Sequence, residues 1–161
     1  VLKDIYAWLK TIWKKPDKYA DLKQFDVLSE LSSFELYLLD NFLHKRSFQA
    51  GELLYDKDNP LEVIYFILSG EVEVTGITHP QGHNLVHKLQ VLGLIDMFTE
   101  DTRSSVAIAK KEVAAYAISR YDLMDLIKQN PHLGLKLLVA FCKTLSNYIL
   151  NISAIGSATG Q

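Results

Sequence analysis

The stretch Tyr65-Phe66-Ile67-Leu68-Ser69-Gly70-Glu71-Val72-Glu73-Val74 decides the architecture. Its first half belongs to a segment, Glu62 to Leu68, rich in Val, Ile, Tyr and Phe, the residue types that pack well on a pleated surface. Ser69-Gly70 then makes a turn, and Glu71-Val72-Glu73-Val74 alternates polar with apolar as a half-buried strand does. Two such runs joined by so short a turn predict an antiparallel hairpin.

Working outward, the periodicity changes to that of strands from Arg46, and further short strands are expected at Asn84 to Val91, Arg103 to Ala109 and Val113 to Ile118. Turn signals separate them at Asp58-Asn59-Pro60, Pro80-Gln81-Gly82 and Gly93. A parallel sheet needs a crossover helix between successive strands, and none fits in these gaps. The expected fold is therefore mainly β with flanking helices: an antiparallel sandwich or barrel of the jelly-roll kind, with N-terminal helices before it and two helices closing it.

Upstream, Leu2, Ile5, Trp8, Leu9, Ile12 and Trp13 recur at helical steps until Pro16. The flank of Lys10, Lys14, Lys15 and Lys18 suits a membrane surface or a partner helix, but a short apolar stripe of this kind is read first as docking on its own domain. Ser32 with Glu35 forms a capping box ahead of Phe34, Leu36, Leu38, Leu39 and Leu43. Downstream, Ser119 and Asp122 repeat that signature before Leu123, Leu126 and Ile127, and Asn130-Pro131 opens a last helix running to about Ile155. In that helix Leu138, Cys142, Leu145, Ile149 and Ile152 follow a four-three rhythm, the seam of a coiled coil, so a homodimer through this helix is expected. Residues 1–24 are read as an amphipathic helical segment, 25–155 as the principal domain and 156–161 as a flexible tail.

The 161 residues carry 17 Lys and Arg against 19 Asp and Glu, a formal net charge of -2. That balance lacks the basic excess of a dedicated nucleic-acid binder, and no recognition helix follows the last helix, so no nucleic-acid binding by this chain alone is expected. The single Cys142 rules out an internal disulfide and a multi-cysteine metal site and fits a cytoplasmic setting. No apolar run approaches about 18 residues, so no membrane span is expected. The chain opens on Val1 and ends Gly156-Ser157-Ala158-Thr159-Gly160-Gln161, as expected of a piece excised from something longer.

Helices, short antiparallel strands with glycine turns, then two closing helices is a layout that resembles the cyclic nucleotide-binding domain. Arg46-Ser47-Phe48-Gln49-Ala50-Gly51-Glu52 is similar to that family's opening strand and turn, and Tyr65 to Val74 to its strand–turn–strand. Arg103-Ser104-Ser105-Val106 resembles the end of its phosphate-binding cassette, and Tyr121-Asp122-Leu123 stands where its hinge helix begins. The resemblance covers roughly Phe25 to Ile152. It implies cyclic AMP or cyclic GMP as ligand, with no required cofactor. Arg103, Ser104 and Ser105 would hold the phosphate, because a guanidinium gives a carboxylate or phosphate two charge-assisted hydrogen bonds. Gly93, Leu94 and Ile95 of the cassette, with Val72 and Val74, would wall the pocket, and Phe141 or Tyr148 would cover a base. The plain alternatives are a strand-edge pairing of Arg103 with Glu100 or Asp101, and core or interface roles for Phe141 and Tyr148.

The sugar-binding half departs from the family pattern. Gly93-Leu94-Ile95-Asp96-Met97-Phe98 falls where the family has Gly-Glu, so Leu94 replaces the carboxylate that grips the ribose, and the stretch from Leu85 to Gly93 is short. A buried hydroxyl left without a partner costs about 1–3 kcal/mol, about ten- to a hundredfold in affinity. Asp96 would need a rebuilt turn to substitute. Two readings follow: a regulatory module that binds cyclic nucleotide and repacks its closing helices, or a degenerate module that keeps the fold, binds another anion, another small ligand or nothing, and works by dimerisation or partner binding. His79, His83 and His87 lie in a turn and its outgoing strand rather than on a helix, which argues against metal ligation. No nucleophile elbow, phosphate loop or His-Glu-x-x-His motif is present, and Asp122 with Asp125 suits a helix start, so no catalytic residues are expected.

Overall fold

The computed structural model describes residues 2–12, 19–60, 62–76, 82–98 and 102–158. Helices α1 (Leu2–Ile12), α2 (Ala20–Lys23) and α3 (Ser33–Asp40) precede the sheets, with a 3-10 turn at Asp26–Leu28. Strands β1 (His44–Phe48), β2 (Leu53–Tyr55), β3 (Val63–Ser69), β4 (Glu71–Thr75), β5 (His83–His87) and β6 (Val91–Leu92) follow. The short α4 (Leu94–Met97) leads to β7 (Val106–Ala109) and β8 (Val113–Ser119), and α5 (Arg120–Gln129) and α6 (Pro131–Ala158) close the chain. The strands form two four-stranded sheets, β1-β8-β3-β6 and β2-β7-β4-β5, antiparallel at every pairing. This is the jelly-roll arrangement expected from the hairpin pattern.

The difference in pattern between β3 and β4 has a direct cause. Tyr65 and Ile67 point between the sheets with Val72, Val74, Ala107 and Ala115, while Ile64 and Phe66 on the opposite face of β3 meet the helices. Buried on both sides, β3 is apolar at successive positions; β4 has one covered face and alternates. Gly70, between them, has φ +90, and a Cβ there would collide with the Glu112 carbonyl and come within 2.9 Å of the Val113 Cα. The helix-side core is completed by Phe25, Leu28, Leu36, Leu123, Leu137 and Phe141, with Phe25 edge-on to Phe66 at 5.6 Å.

Several boundaries differ from expectation. The single strand expected over Asn84 to Val91 is two strands in different sheets, because Leu89 takes the left-handed φ of 68 and its N–H donates to the Ile67 carbonyl at 2.7 Å, turning the chain from one sheet to the other. The strand expected from Arg103 begins only at Val106. At α3 the capping box is complete: the Ser32 N–H donates to the Glu35 carboxylate at 2.8 Å and the Glu35 N–H to the Ser32 hydroxyl at 3.2 Å. At α5 the Asp122 N–H donates to Ser119 Oγ, but the Asp122 carboxylate accepts from that same hydroxyl at 2.6 Å, so the cap is local rather than reciprocal.

Helix α1 docks through Trp8, edge-on to Phe34 at 5.5 Å, and leaves Tyr6 and Leu9 exposed. Trp13, Lys14, Lys15, Pro16 and Lys18 lie outside the described residues, as does the Lys10 side chain. Helix α6 buries Leu133, Leu137 and Phe141 against the core. Over Pro131–Ala154 it is, by length and composition, apolar enough to cross a membrane, although Lys136 and Lys143 interrupt the run. Here those lysines tie α6 to the segment before the sheets, Lys136 to Glu35 of α3 at 2.8 Å and Lys143 to Glu30, in the turn ahead of α3, at 3.2 Å.

Candidate ligand-binding site

A cavity of about 350 Å³ lies between the second sheet and α6, within the range of ~300–1,000 Å³ usual for small-molecule sites. Val74, Val86 and Leu92 supply its apolar sheet wall, and Gly93, Leu94 and Ile95 its wall at the start of α4. Ser104 and Ser105 bring hydroxyls from the approach to β7. Thr144, Leu145, Asn147, Tyr148 and Asn151, spaced along α6, close the remaining side. Burial pushes the Tyr148 phenol pKa upward.

Gly93 decides the local geometry of the cassette. Its φ of +88 starts α4 immediately after β6, and a Cβ would stand 2.8 Å from Arg103 Nη1 and 2.9 Å from the Val63 carbonyl oxygen. That close approach lets Arg103 lie against the backbone. Arg103 is 2% exposed; its Nη2 donates to the Val63 carbonyl at 2.5 Å, and its guanidinium carbon stands 4.0 Å over the centre of the Tyr55 ring. Its main chain is clamped as well, the Arg103 N–H donating to the Asn59 carbonyl at 2.9 Å and its carbonyl accepting from Asp58 at 3.0 Å. Tyr55 lines the cavity, whereas Arg103 does not. The neighbouring hydroxyls of Ser105 and Tyr55 lie 3.4 Å apart.

Of the residues singled out from the sequence, Ser104, Ser105, Gly93, Leu94, Ile95, Val74 and Tyr148 come together around the cavity. Three others are placed elsewhere. Arg103 is turned onto Tyr55 and Val63; Val72 is fully buried between the sheets; Phe141 is core, its ring 6.5 Å from that of Phe98. The Glu100 and Asp101 offered as alternative partners of Arg103 lie outside the described residues, as does the Asp96 side chain. Tyr55, Asn84, Gln90, Thr144, Asn147 and Asn151 line the cavity without having been singled out. The last three form a polar stripe at helical spacing along one side of α6, a signal available from periodicity.

The outer face of α6 coincides with the expected seam in part, at Cys142 and Ile149. Leu145 turns inward to the cavity and the helix-side core, while Leu135 (61% exposed), Val139, Cys142 and Ile149 (62% exposed) face outward. Leu138 and Ile152 are half-buried at the margin of this face. A shallow groove runs along it past Leu138, Val139, Cys142, Lys143, Ser146 and Asn147, so Asn147 borders both groove and cavity. Among the described residues no three His, Cys, Asp or Glu side chains stand together as a metal site; His87 Nδ1 lies 3.1 Å from Glu71, and His79 is outside the described residues.

Comparison with solved structures places this geometry. A cyclic nucleotide-binding domain from Methylobacillus flagellatus KT superposes with a TM-score of 0.77 at 18% identity, over 90% of this chain and 86% of that one. The regulatory subunit of a cAMP-independent protein kinase A from Trypanosoma brucei matches with a TM-score of 0.68 at 21% identity, over 90% of this chain and 53% of that one. The Thermus thermophilus catabolite activator protein gives 0.64 at 21% identity, over 81% of this chain and 62% of that one. A search of curated proteins found no sequence match. The sequence profile described as the cyclic nucleotide-binding domain matches residues 45–130, more than half of the chain. With that profile, and the two-sheet roll closed by α5 and α6, the chain belongs to the cyclic nucleotide-binding domain family.

Proposed function

We propose that the chain is a non-catalytic regulatory module in which a small ligand in the cavity sets the position of α6, and α6 offers its outer face to a second copy of the chain. One observation carries this reading: the turns of α6 from Thr144 to Asn151 form a wall of the cavity, and the same helix carries an exposed apolar face that begins one to two turns earlier, at Val139 and Cys142, and continues to Ile149. A ligand that touches α6 in only one of its positions shifts the population toward that position by its differential affinity. The module is further read as one that has given up the cyclic-nucleotide grip. Leu94, 4% exposed and packed in the core, stands where the resemblance requires a carboxylate, and Arg103 is engaged by Val63 and Tyr55.

Calorimetric titration with cyclic AMP and cyclic GMP tests that reading. No saturable binding at high micromolar nucleotide is expected; saturable binding below that range returns the module to nucleotide sensing. Sedimentation of the chain beside Ile149→Glu tests the assembly: a dimer converted to monomer supports it, and an unchanged state removes α6 as the contact.

A further inference from the structure

Resting on the reading of the cavity as a ligand site, we infer that its occupant is an uncharged, partly apolar molecule with an amide-like hydrogen-bonding edge, rather than a phosphate or carboxylate. The ionisable side chains among the described lining residues are Asp26 and the phenols of Tyr55 and Tyr148; none is lysine, arginine or histidine. Asp26 sits exposed at the rim, where its carboxylate repels an entering anion. An anion moved from water into such a lining loses hydration that no cation among the described lining residues replaces. Arg103, packed behind the lining residues Gly93 and Tyr55, is not itself part of the described lining and has its Nη2 committed to the Val63 carbonyl.

The polar groups that do face the cavity are of another kind. Asn84, Asn147 and Asn151 present carboxamides that form no hydrogen bond with the described residues. Each offers both donors and an acceptor, the complement of a neutral edge that itself donates and accepts. Asn147 and Asn151 are one turn apart on α6, opposite an apolar wall of Val74, Val86, Leu92 and Leu94. The arrangement accepts a ring or short chain against the sheet and its polar edge against the helix.

The test compares neutral and anionic members of matched pairs, adenosine with cyclic AMP and nicotinamide with nicotinate. The readouts are the side-chain amide resonances of Asn147 and Asn151 and the thermal midpoint of the full chain. The neutral members are expected to move those resonances and to bind about tenfold or more tightly than their anionic counterparts. Ile95→Arg, at a lining position 52% exposed, adds a cation at the mouth without disturbing the core and is expected to raise the affinity of the anionic members. Preferential binding of cyclic AMP or nicotinate by the unaltered chain overturns the inference while leaving the sensory reading in place. Silence of the cavity amides toward all four compounds at millimolar concentration overturns both.

Discussion

Arg103→Ala is expected to unfold the domain more easily rather than to disable a working clasp. In the folded chain the guanidinium makes a charge-assisted hydrogen bond to the Val63 carbonyl and stacks on Tyr55 at 4.0 Å, at a position 2% exposed. A hydrogen bond to a charged group contributes about 1.5–3 kcal/mol, and a desolvated cation over an aromatic face about 0.5–2 kcal/mol. Release of a buried cation offsets part of this. The net loss is therefore expected at about 2–4 kcal/mol, or about 5–15 °C in Tm for a domain of this size. Thermal unfolding followed by circular dichroism reads the shift. Arg103→Lys should fall between alanine and wild type, because an ammonium keeps the charge without the planar fork that lies on the ring. A cycle with Tyr55→Leu isolates the stacking, with an expected coupling of about 0.5–2 kcal/mol. An alanine variant within about 1 °C of wild type, or more stable than it, refutes the reasoning, since a side chain held ready for a ligand often costs stability instead.

Glu35 links stability to pH. Burial alone raises its carboxyl pKa, but hydrogen bonds from Lys136 and from Ser32 outweigh burial and leave it below the usual glutamate range. A depressed folded-state pKa means that this stabilisation is present above the unfolded value, about 4.3, and is lost as pH falls through the folded one. The gap in urea midpoint between wild type and Glu35→Gln should thus be widest near neutrality and shrink in acid; a gap that grows in acid contradicts the assignment. Gly70→Ala should cost about 1–2 kcal/mol or more, since the new Cβ meets the Glu112 and Val113 backbone at a positive φ; an unchanged denaturation midpoint argues against that turn. Leu94→Glu buries a carboxylate in a packed site and should destabilise by about 2 kcal/mol or more without creating nucleotide affinity. A folded Leu94→Glu protein with saturable cyclic AMP binding, read by calorimetry, shows instead that the remainder of the clasp is intact.

The β3–β4 hairpin was legible because burial on two faces and burial on one leave different residue patterns, and Ser69-Gly70 marks the change. The break between β5 and β6 was not, because Leu89 is an ordinary apolar residue whose left-handed backbone is imposed by the turn around it. The cavity wall at Gly93 to Ile95 followed from the resemblance, yet the direction of Arg103 did not. Motif position locates a side chain along the chain, whereas its orientation depends on Tyr55, Val63 and a glycine distant in sequence. On α6 the expected line through Leu138, Cys142, Leu145, Ile149 and Ile152 and the exposed one through Leu135, Val139, Cys142 and Ile149 share a helical rhythm and two residues, Cys142 and Ile149. Periodicity identifies a stripe, and only the packing of Leu137 and Phe141 settles which neighbouring stripe remains outside.

Strand β1 forms an outer edge of its sheet, and there His44, Lys45 and Arg46 are exposed. Two copies approaching edge to edge would bring the charged side chains of Lys45 and Arg46 near their counterparts, a repulsion that discourages continuous cross-molecule sheets. Crowded copies of the chain are thereby steered away from fibril-like stacking at the border where an open roll is most vulnerable.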